Sequence, residues 1–305
     1  MNSNSKKVSV LLASYNHSDY VLKAIDSVLE QNWPNVDLIV IDDGSTDGSP
    51  DLLSDFHKKH RGFRLVINSK NKGVVKTLNE GLRIAEGEFI CNLGSDDYLA
   101  AGSLAIRASY LCEHPECVAV FADGYILCDD MITDQRIMSV KRRRLFEIDD
   151  PIPEFLKGVN LPIHTLMTRT ALLRDIGGYD ERYKKLEDLD VQLRLCLEGP
   201  IAFIDVPLYC FRMHNTNTSI VNPYIARADK VRMYDKYLME IQQLVPYRKM
   251  IRYQLRRQYL LLGRYINKTK APDPVEREIF QGGWKYAYQD IRLLWHLVLC
   301  KFRQL

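Results

Sequence analysis

Nowhere among the 305 residues do 18 consecutive apolar residues occur, which excludes a plainly written membrane-spanning helix. The opening MNSNSKKVSV has no apolar stretch of the kind a signal peptide needs. Cysteine is scarce. The seven residues at 91, 112, 117, 128, 196, 210 and 300 form no CxxC pair. That argues against a disulfide framework and predicts buried thiols in a reducing compartment. Charge imbalance is missing too: the net value is +3 and says little about partners. There is no internal repeat and no low-complexity tract. What remains is a globular chain, expected in the cytoplasm, with 46% hydrophobic and 27% charged residues. Its length suffices for one large domain or two fused lobes.

Two local absences say more. Residues 246–270 hold no acid, yet carry Arg248, Lys249, Arg252, Arg256, Arg257, Arg264, Lys268 and Lys270. The loop after the first apolar run, in LLASYNHSDY, contains no glycine. A Gly-rich phosphate loop is therefore not written there.

What is present, over the first 125 residues, is an alternation of short β-like runs with helix-period segments. VSVLLAS (8–14), VDLIVIDDGS, FRLVINS, EFICNLGSDD and CVAVFAD read as five strands. Between them, Ser18 is the expected cap of a helix burying Val21, Leu22, Ile25, Val28 and Leu29. Ser49 and Pro50 open a second helix, and a third carries Val75, Leu78, Leu82 and Ala85 with Gly87 as its stop. The helix before the fifth strand ends at Pro115. Such alternation predicts an α/β fold with a parallel sheet, whose ligands gather at the carboxyl ends of strands. Three of those ends carry polar clusters: SYNHSD, DDGSTD and GSDD. Beyond residue 126 the pattern weakens. KRRRLFEIDDPIP reads as an exposed, mobile loop, LPIHTLMTRTALLRDIGGYD as a strand and short helix closed by Gly177 and Gly178, and IAFIDVPLYCFRMH as strand–turn–strand. From about 223 three helical segments are expected, split near Pro246 and at APDP.

Each cluster has a plain account and a chemical one. DDGSTDGS is good turn sequence, which explains Gly44, Ser45 and Asp47. It explains less well why Asp42 and Asp43 end a strand as apolar as LIVI, where an exposed carboxylate can accept the imide N–H of uracil. Asp96 and Asp97 alone read as an Asx turn and helix cap. Beside the other clusters they suit Mg²⁺ or Mn²⁺, which take carboxylate and phosphate oxygens. Glu187 and Asp188 open a helix, where capping accounts for them; otherwise one is a general base for an acceptor hydroxyl. Arg212 can fork onto phosphate, and His214 can ligate metal or contact a diphosphate. His17 and His164 lie in candidate site loops with no role fixed.

In order, VSVLLASYNHSDYVLKAIDSVLEQ, LIVIDDGSTDGS, NKGVVKTLNEGLRIAEGEFICNLGSDDYL, GGYDERYKKLEDLDVQLRL and FRMHNTNTS resemble the family 2 inverting glycosyltransferases of GT-A fold. The resemblance spans residues 6–219 and implies a Rossmann-like, mostly parallel sheet flanked by helices. It implies a catalytic domain over 1–219, with a nucleotide-binding half at 6–125 and an acceptor half at 126–219, followed by a helical extension at 220–305. By resemblance, Ala13, Tyr15, Asp42, Asp43, Lys72 and Asp96 bind the nucleotide, with Tyr15 bordering the base and Asp43 hydrogen-bonded to it. Asp96, Asp97 and His214 hold Mn²⁺ or Mg²⁺, Arg212 and His164 serve the diphosphate or acceptor, and Asp188 beside Glu187 is the base. One position departs from the pattern: many members carry an acid where this chain has Gly94. The implied activity is metal-dependent, inverting transfer of a sugar from a nucleoside diphosphate, UDP by resemblance, to a saccharide or lipid-linked acceptor.

Two other readings compete. A sugar-phosphate nucleotidyltransferase would want the Gly-rich loop this chain lacks. A non-catalytic sugar-nucleotide-binding protein would have less reason to keep both acidic pairs. The tail, 246–305, reads either as a surface for the inner face of an anionic membrane or as a helical extension packed on the core or on a second copy in a homo-oligomer. No nucleic-acid recognition module accompanies its bases.

Overall fold

The computed structural model describes residues 6–128, 131–213 and 223–268. These fall into two compact units, one drawn from Met1–Pro151, Asn160–Asp180 and Val191–Asn217, the other from Ile152–Val159, Glu181–Asp190 and Thr218–Leu305.

The first unit is a single mixed sheet with helices against it. Strands β1 (Val8–Ser14), β2 (Val36–Asp42), β3 (Arg64–Ile67) and β4 (Phe89–Gly94) are parallel, in the order β3-β2-β1-β4. Helices α1 (Val21–Leu29), α2 (Ser49–Lys59) and α3 (Val74–Ile84) make the crossovers, as the alternating sequence predicted. The sheet then turns mixed. A two-residue strand β5 (Tyr98–Leu99) and helix α4 (Ser103–Glu113) lead to β6 (Ala119–Cys128) and its hairpin partner β7 (Met131–Arg136). Beyond lie α5 (Val140–Arg143), β8 (Met167–Arg169), α7 (Thr170–Asp175) and β9 (Ile201–Arg212), while α6 (Ile152–Leu156) belongs to the second unit. The order continues β4-β8-β6-β9-β5, with β8 antiparallel to both neighbours, β9 parallel to β6, and β5 antiparallel to β9.

The core forms where strand and helix periods meet. Val8, Val10 and Leu12 of β1, Leu38 and Val40 of β2, and Phe89, Cys91 and Leu93 of β4 pack with Val21, Ala24, Ile25 and Val28 of α1 and with Leu104, Ala108 and Leu111 of α4. Leu29 is exposed instead, and Ala24 takes its expected place in the buried face.

Several local expectations change. Helix α1 starts at Val21, and Ser18 does not cap it; the Ser18 amide donates to Asp47 Oδ2 at 3.0 Å. Ser49 is the first residue of α2, and Asp47 Oδ1 accepts its amide at 2.9 Å. Helix α3 ends at Ile84, before Gly87. Residues 201–212 form one strand whose register with β6 shifts around Asp123, so no turn divides them. The basic 141–153 segment is ordered as α5, a 3₁₀ turn at Arg144–Phe146 and the start of α6. Arg143 reaches Asp123 at 2.7 Å and Asp205 at 2.6 Å, anchoring what its charge made look solvated. All six described cysteines are free; Cys128 is exposed, contrary to expectation.

The second unit contains α6, the helical hairpin α9 (Pro223–Met239) and α10 (Arg248–Lys268), and a 3₁₀ turn, Gln242–Tyr247, built around Pro246. Helix α8 (Glu187–Glu198) begins in this unit, and its residues from Val191 on belong to the first. Among the described residues no helix is long and apolar enough to cross a membrane. The third expected helical segment, the end of the basic tail including Lys270, and Cys300 lie outside the described residues.

Candidate active site

The carboxyl ends of β1, β2 and β4 are joined by side chains. Asn16, in the left-handed region at φ 56°, donates its amide to Ser45 Oγ at 2.8 Å and accepts the Thr46 amide on its Oδ1 at 2.8 Å. Asparagine tolerates that conformation because its short amide side chain bonds locally. His17 Nδ1 and Ser95 Oγ hydrogen-bond at 2.7 Å, tying the loop after β1 to the loop after β4. Tyr15, between these anchors, presents an exposed ring, and Ala13 sits between Ile41 and Gly94 in the sheet.

Asp42 and Asp43 do different work. Asp42 is buried and accepts the Ser45 amide and hydroxyl at 2.9 and 2.6 Å, so it builds its own turn. Asp43 is buried as well, not exposed as expected, because it organises the loop beyond β3. Its Oδ1 accepts from the Lys72 amide at 3.0 Å and Asn68 Nδ2 at 3.2 Å, and its Oδ2 accepts from the Gly73 amide at 2.8 Å. A carboxylate has about four acceptor sites, so roughly one stays open, on Oδ2. Lys72 Nζ binds Asn68 Oδ1 at 2.7 Å and Glu80 at 3.0 Å. Gly44, at φ +72°, passes so close to Lys70 that a Cβ would overlap its backbone, which is why the turn takes glycine there.

At the end of β4 the question raised by Gly94 has a steric answer. A Cβ on Gly94 would lie 2.7 Å from Asp97 Oδ2 and 3.0 Å from Asp96 Oδ1. The two carboxylates occupy the space a side chain would fill. Asp97 is buried, with Oδ1 accepting the Arg212 amide and Oδ2 the Tyr209 hydroxyl, each at 2.7 Å. Tyr209 in turn accepts the Gly94 amide at 3.0 Å. Burial, then the neighbouring Asp96 charge, push the Asp97 carboxyl up to about 8 against these donors. Arg212 is buried, donates Nε to the Asp96 carbonyl at 2.7 Å and lies over the Tyr20 ring at 4.6 Å. His164 stacks on Tyr209 and Phe211, at centroid distances of 5.6 and 5.9 Å. The turn that carries it is held by the buried Arg107, whose Nη1 donates to the Thr165 and Leu166 carbonyls at 3.3 Å.

Asp96 and Asp97 meet over Gly94 as two hard oxygen donors in one place, a set that suits Mn²⁺ or Mg²⁺ with phosphate and water completing the sphere. Among the described residues no group of three or more His, Cys, Asp or Glu is arranged to hold a metal. His214 lies outside the described residues.

In the second unit Glu187 and Asp188 form the first turn of α8. Asp188 lies inside that turn, and its Oδ1 accepts the Leu189 amide at 2.7 Å. Glu187 Oε2 is buried with no hydrogen-bond partner among the described residues, and burial, then Asp188, push this carboxyl up to about 7.

The family model for glycosyl transferase family 2 matches residues 9–177, more than half of the chain. The chain belongs to that family. This glycosyltransferase is 30% identical over 200 residues to the putative glycosyltransferase EpsE of Bacillus subtilis, covering 63% of its own length and 68% of EpsE. It is 25% identical over 236 residues to the chondroitin synthase of Escherichia coli, covering 77% of this chain but 33% of that one. The chain thus spans about a third of one of these curated relatives and two thirds of the other. Its fold matches S. aureus TarS in complex with UDP-GlcNAc, with a TM-score of 0.66, 19% identity, and coverage of 98% of this chain and 92% of that one. A mannosyltransferase from Pyrobaculum calidifontis in complex with GDP-Man and Mn²⁺ matches at a TM-score of 0.60 and 16% identity, covering 98% and 86%. The mixed sheet is the GT-A fold.

The sequence did not single out Tyr209, Arg107 or Asn16, and it marked Ser45 only as a turn residue. Tyr209 reads there as one more apolar strand residue, and only the sheet pairing of β9 brings its hydroxyl to Asp97.

Proposed function

We propose that this glycosyltransferase moves a sugar, with inversion, from a nucleoside-diphosphate donor, UDP in the first instance, to a hydroxyl of a saccharide or lipid-linked acceptor. The observation that carries the reading is the Asp96–Asp97 pair seated over Gly94, beside the linked loops after β1 and β2. Tyr15 and the open site on Asp43 Oδ2 are the groups for the base, with Asp42 and Lys72 shaping their loops and Ala13 flooring the site. Asp96 and Asp97, with His214, would hold Mn²⁺ or Mg²⁺, and Arg212 and His164 serve the diphosphate and acceptor. When bound, the cation supplies neutralisation of the charge that grows on the leaving diphosphate.

In the transfer, Asp188 takes the proton of the acceptor hydroxyl while that oxygen bonds to the anomeric carbon. The bond from that carbon to the diphosphate oxygen breaks on the opposite face, and its electron pair leaves with the nucleotide. One displacement inverts the centre through an oxocarbenium-like transition state. The helix N-terminus and the accepted Leu189 amide both favour negative charge at Asp188 before the proton arrives.

Titrating the full chain with UDP-, GDP- and dTDP-sugars, with and without Mn²⁺, is expected to give tight binding for one nucleotide and weaker binding when the metal is chelated. Indifference to all three, with or without metal, would remove the reading.

The exposed face of α10 supports a second element, docking on an anionic membrane surface. Arg248, Lys249, Arg252, Arg257 and Arg264 are exposed with Tyr253, while Ile251, Leu255, Tyr259 and Leu262 are buried. Each base near such a surface contributes about 1 kcal/mol, screened by salt. The full chain should float with vesicles containing phosphatidylserine at low salt and stay behind with neutral ones. Absence of flotation at low salt sinks the membrane role and leaves the packed-extension reading of the tail.

A further inference from the structure

The C-terminal helices lie beyond the residues the family model matches, and the sequence gives them no part in chemistry. Two contacts from α9 change that. Asp229 is fully buried, and its Oδ2 accepts the amides of both Lys184 and Lys185, at 2.7 and 2.8 Å. Its Oδ1 accepts from Arg232 at 3.0 Å. One carboxylate thus fixes the two peptide groups that lead directly into the Glu187–Asp188 turn. Two helical turns further on, Lys236 Nζ donates to both oxygens of the buried Asp190, at 3.0 and 3.3 Å, and lies 5.5 Å from the centre of the Tyr183 ring. Residues seven apart share a face of a helix, so the same side of α9 grips the acidic turn just before it begins and, at Asp190, within it.

We infer that α9 positions the Glu187–Asp188 turn, with Asp229 and Lys236 as positioning residues. The inference rests on the reading above that this turn supplies the base. Stability alone is a poor reason for the arrangement, because buried ion pairs gain little over well-packed apolar residues of similar size. Hydrogen bonds to two consecutive amides do something apolar packing does not: they set the position and direction of the chain entering the helix. Catalysis is sensitive to that placement, since an error of about 1 Å in a reacting group can cost roughly a hundredfold in rate. The charge of Asp229 reaches the same turn. The charged groups facing Glu187 are Asp188 and Lys185 on its own segment and Asp229 from α9, and the two aspartates both raise the Glu187 carboxyl.

The test uses the full chain and the variants Asp229→Asn, Lys236→Met and Lys236→Arg, with the same donor, metal and acceptor. In Asp229→Asn, transfer should slow about tenfold or more while donor affinity stays within about twofold. The acid limb of its pH–rate profile, set by the base Asp188, should move to lower pH, because a negative charge that reaches this turn is gone. Lys236→Met should slow transfer comparably, and Lys236→Arg should restore most of it. Wild-type rates and an unmoved acid limb, alongside faster hydrogen exchange at the Lys184 and Lys185 amides, would overturn the inference: the contacts would then only order the chain. If wild-type protein transfers nothing from any donor, the catalytic reading fails by itself. The inference is then judged by NMR titration of the Glu187 carboxyl, where a downward shift in Asp229→Asn supports it and an unmoved value overturns it. Should Asp229→Asn fail to fold, the Lys236 pair decides. Loss with Met and rescue by Arg supports positioning, and a wild-type rate in Lys236→Met refutes it.

Discussion

Asp188→Asn is expected to bind the nucleotide-sugar donor like the wild type and to transfer sugar about 10²–10⁴-fold more slowly, the usual contribution of a positioned general base. The reason lies in the local chemistry of the α8 turn. The asparagine amide keeps the size of the side chain, and its oxygen can still accept the Leu189 amide that Asp188 Oδ1 accepts at 2.7 Å. The helix start is therefore preserved, and what disappears is the capacity to take a proton. Glu187 is a poor substitute, because its Oε2 is buried away from solvent. Donor titration calorimetry with Mn²⁺ and single-turnover transfer measure the two halves separately. Transfer near the wild-type rate would place the base elsewhere, while weakened donor binding would mean that the turn shapes the nucleotide site rather than the chemistry.

The parts of this fold legible in the sequence are those set by local periodicity. The strands from Val8, Val36, Arg64 and Phe89 and the faces of α1 and α3 follow from apolar spacing, and the polar strand ends mark where ligands collect. What stayed hidden depends on partners far along the chain. The bases at 141–144 resemble a solvated run until β6 and β9 bring Asp123 and Asp205 to Arg143. Residues 201–212 look like two strands because Asp205 and Pro207 interrupt the apolar pattern, yet a register shift against β6 absorbs them in one. Neither Ser18 nor Ser49 caps its helix; instead one carboxylate, Asp47, accepts the amides of both, at 3.0 and 2.9 Å. Asp229 carries no local sign of a role, since the amides it binds lie more than forty residues earlier. The candidate site divides in the same way: its acids are visible in the sequence, and the groups that hold those acids are not.

The sharpest case is Gly94, where resemblance and geometry make opposite predictions. The family pattern favours an acid at this position, so Gly94→Asp would on that ground be harmless or improve metal binding. The structure predicts loss. A Cβ would press on Asp97 Oδ2 at 2.7 Å and Asp96 Oδ1 at 3.0 Å, and Asp97 has nowhere to retreat with its oxygens held by the Arg212 amide and the Tyr209 hydroxyl. Overpacking of this kind costs about 1–3 kcal/mol. Paid in the binding-competent arrangement, that corresponds to roughly a tenfold or greater loss of donor affinity. Gly94→Ala isolates the steric part. Gly94→Asp adds a third carboxyl beside one that burial and Asp96 already push up to about 8, so its loss should exceed that of alanine. Mn²⁺-dependent binding of the donor, read beside thermal melting of each variant, separates damage to the site from damage to the fold. If Gly94→Asp binds metal and donor as tightly as the wild type, the loop after β4 has yielded to the new side chain. The two carboxylates would then not depend on glycine for their place.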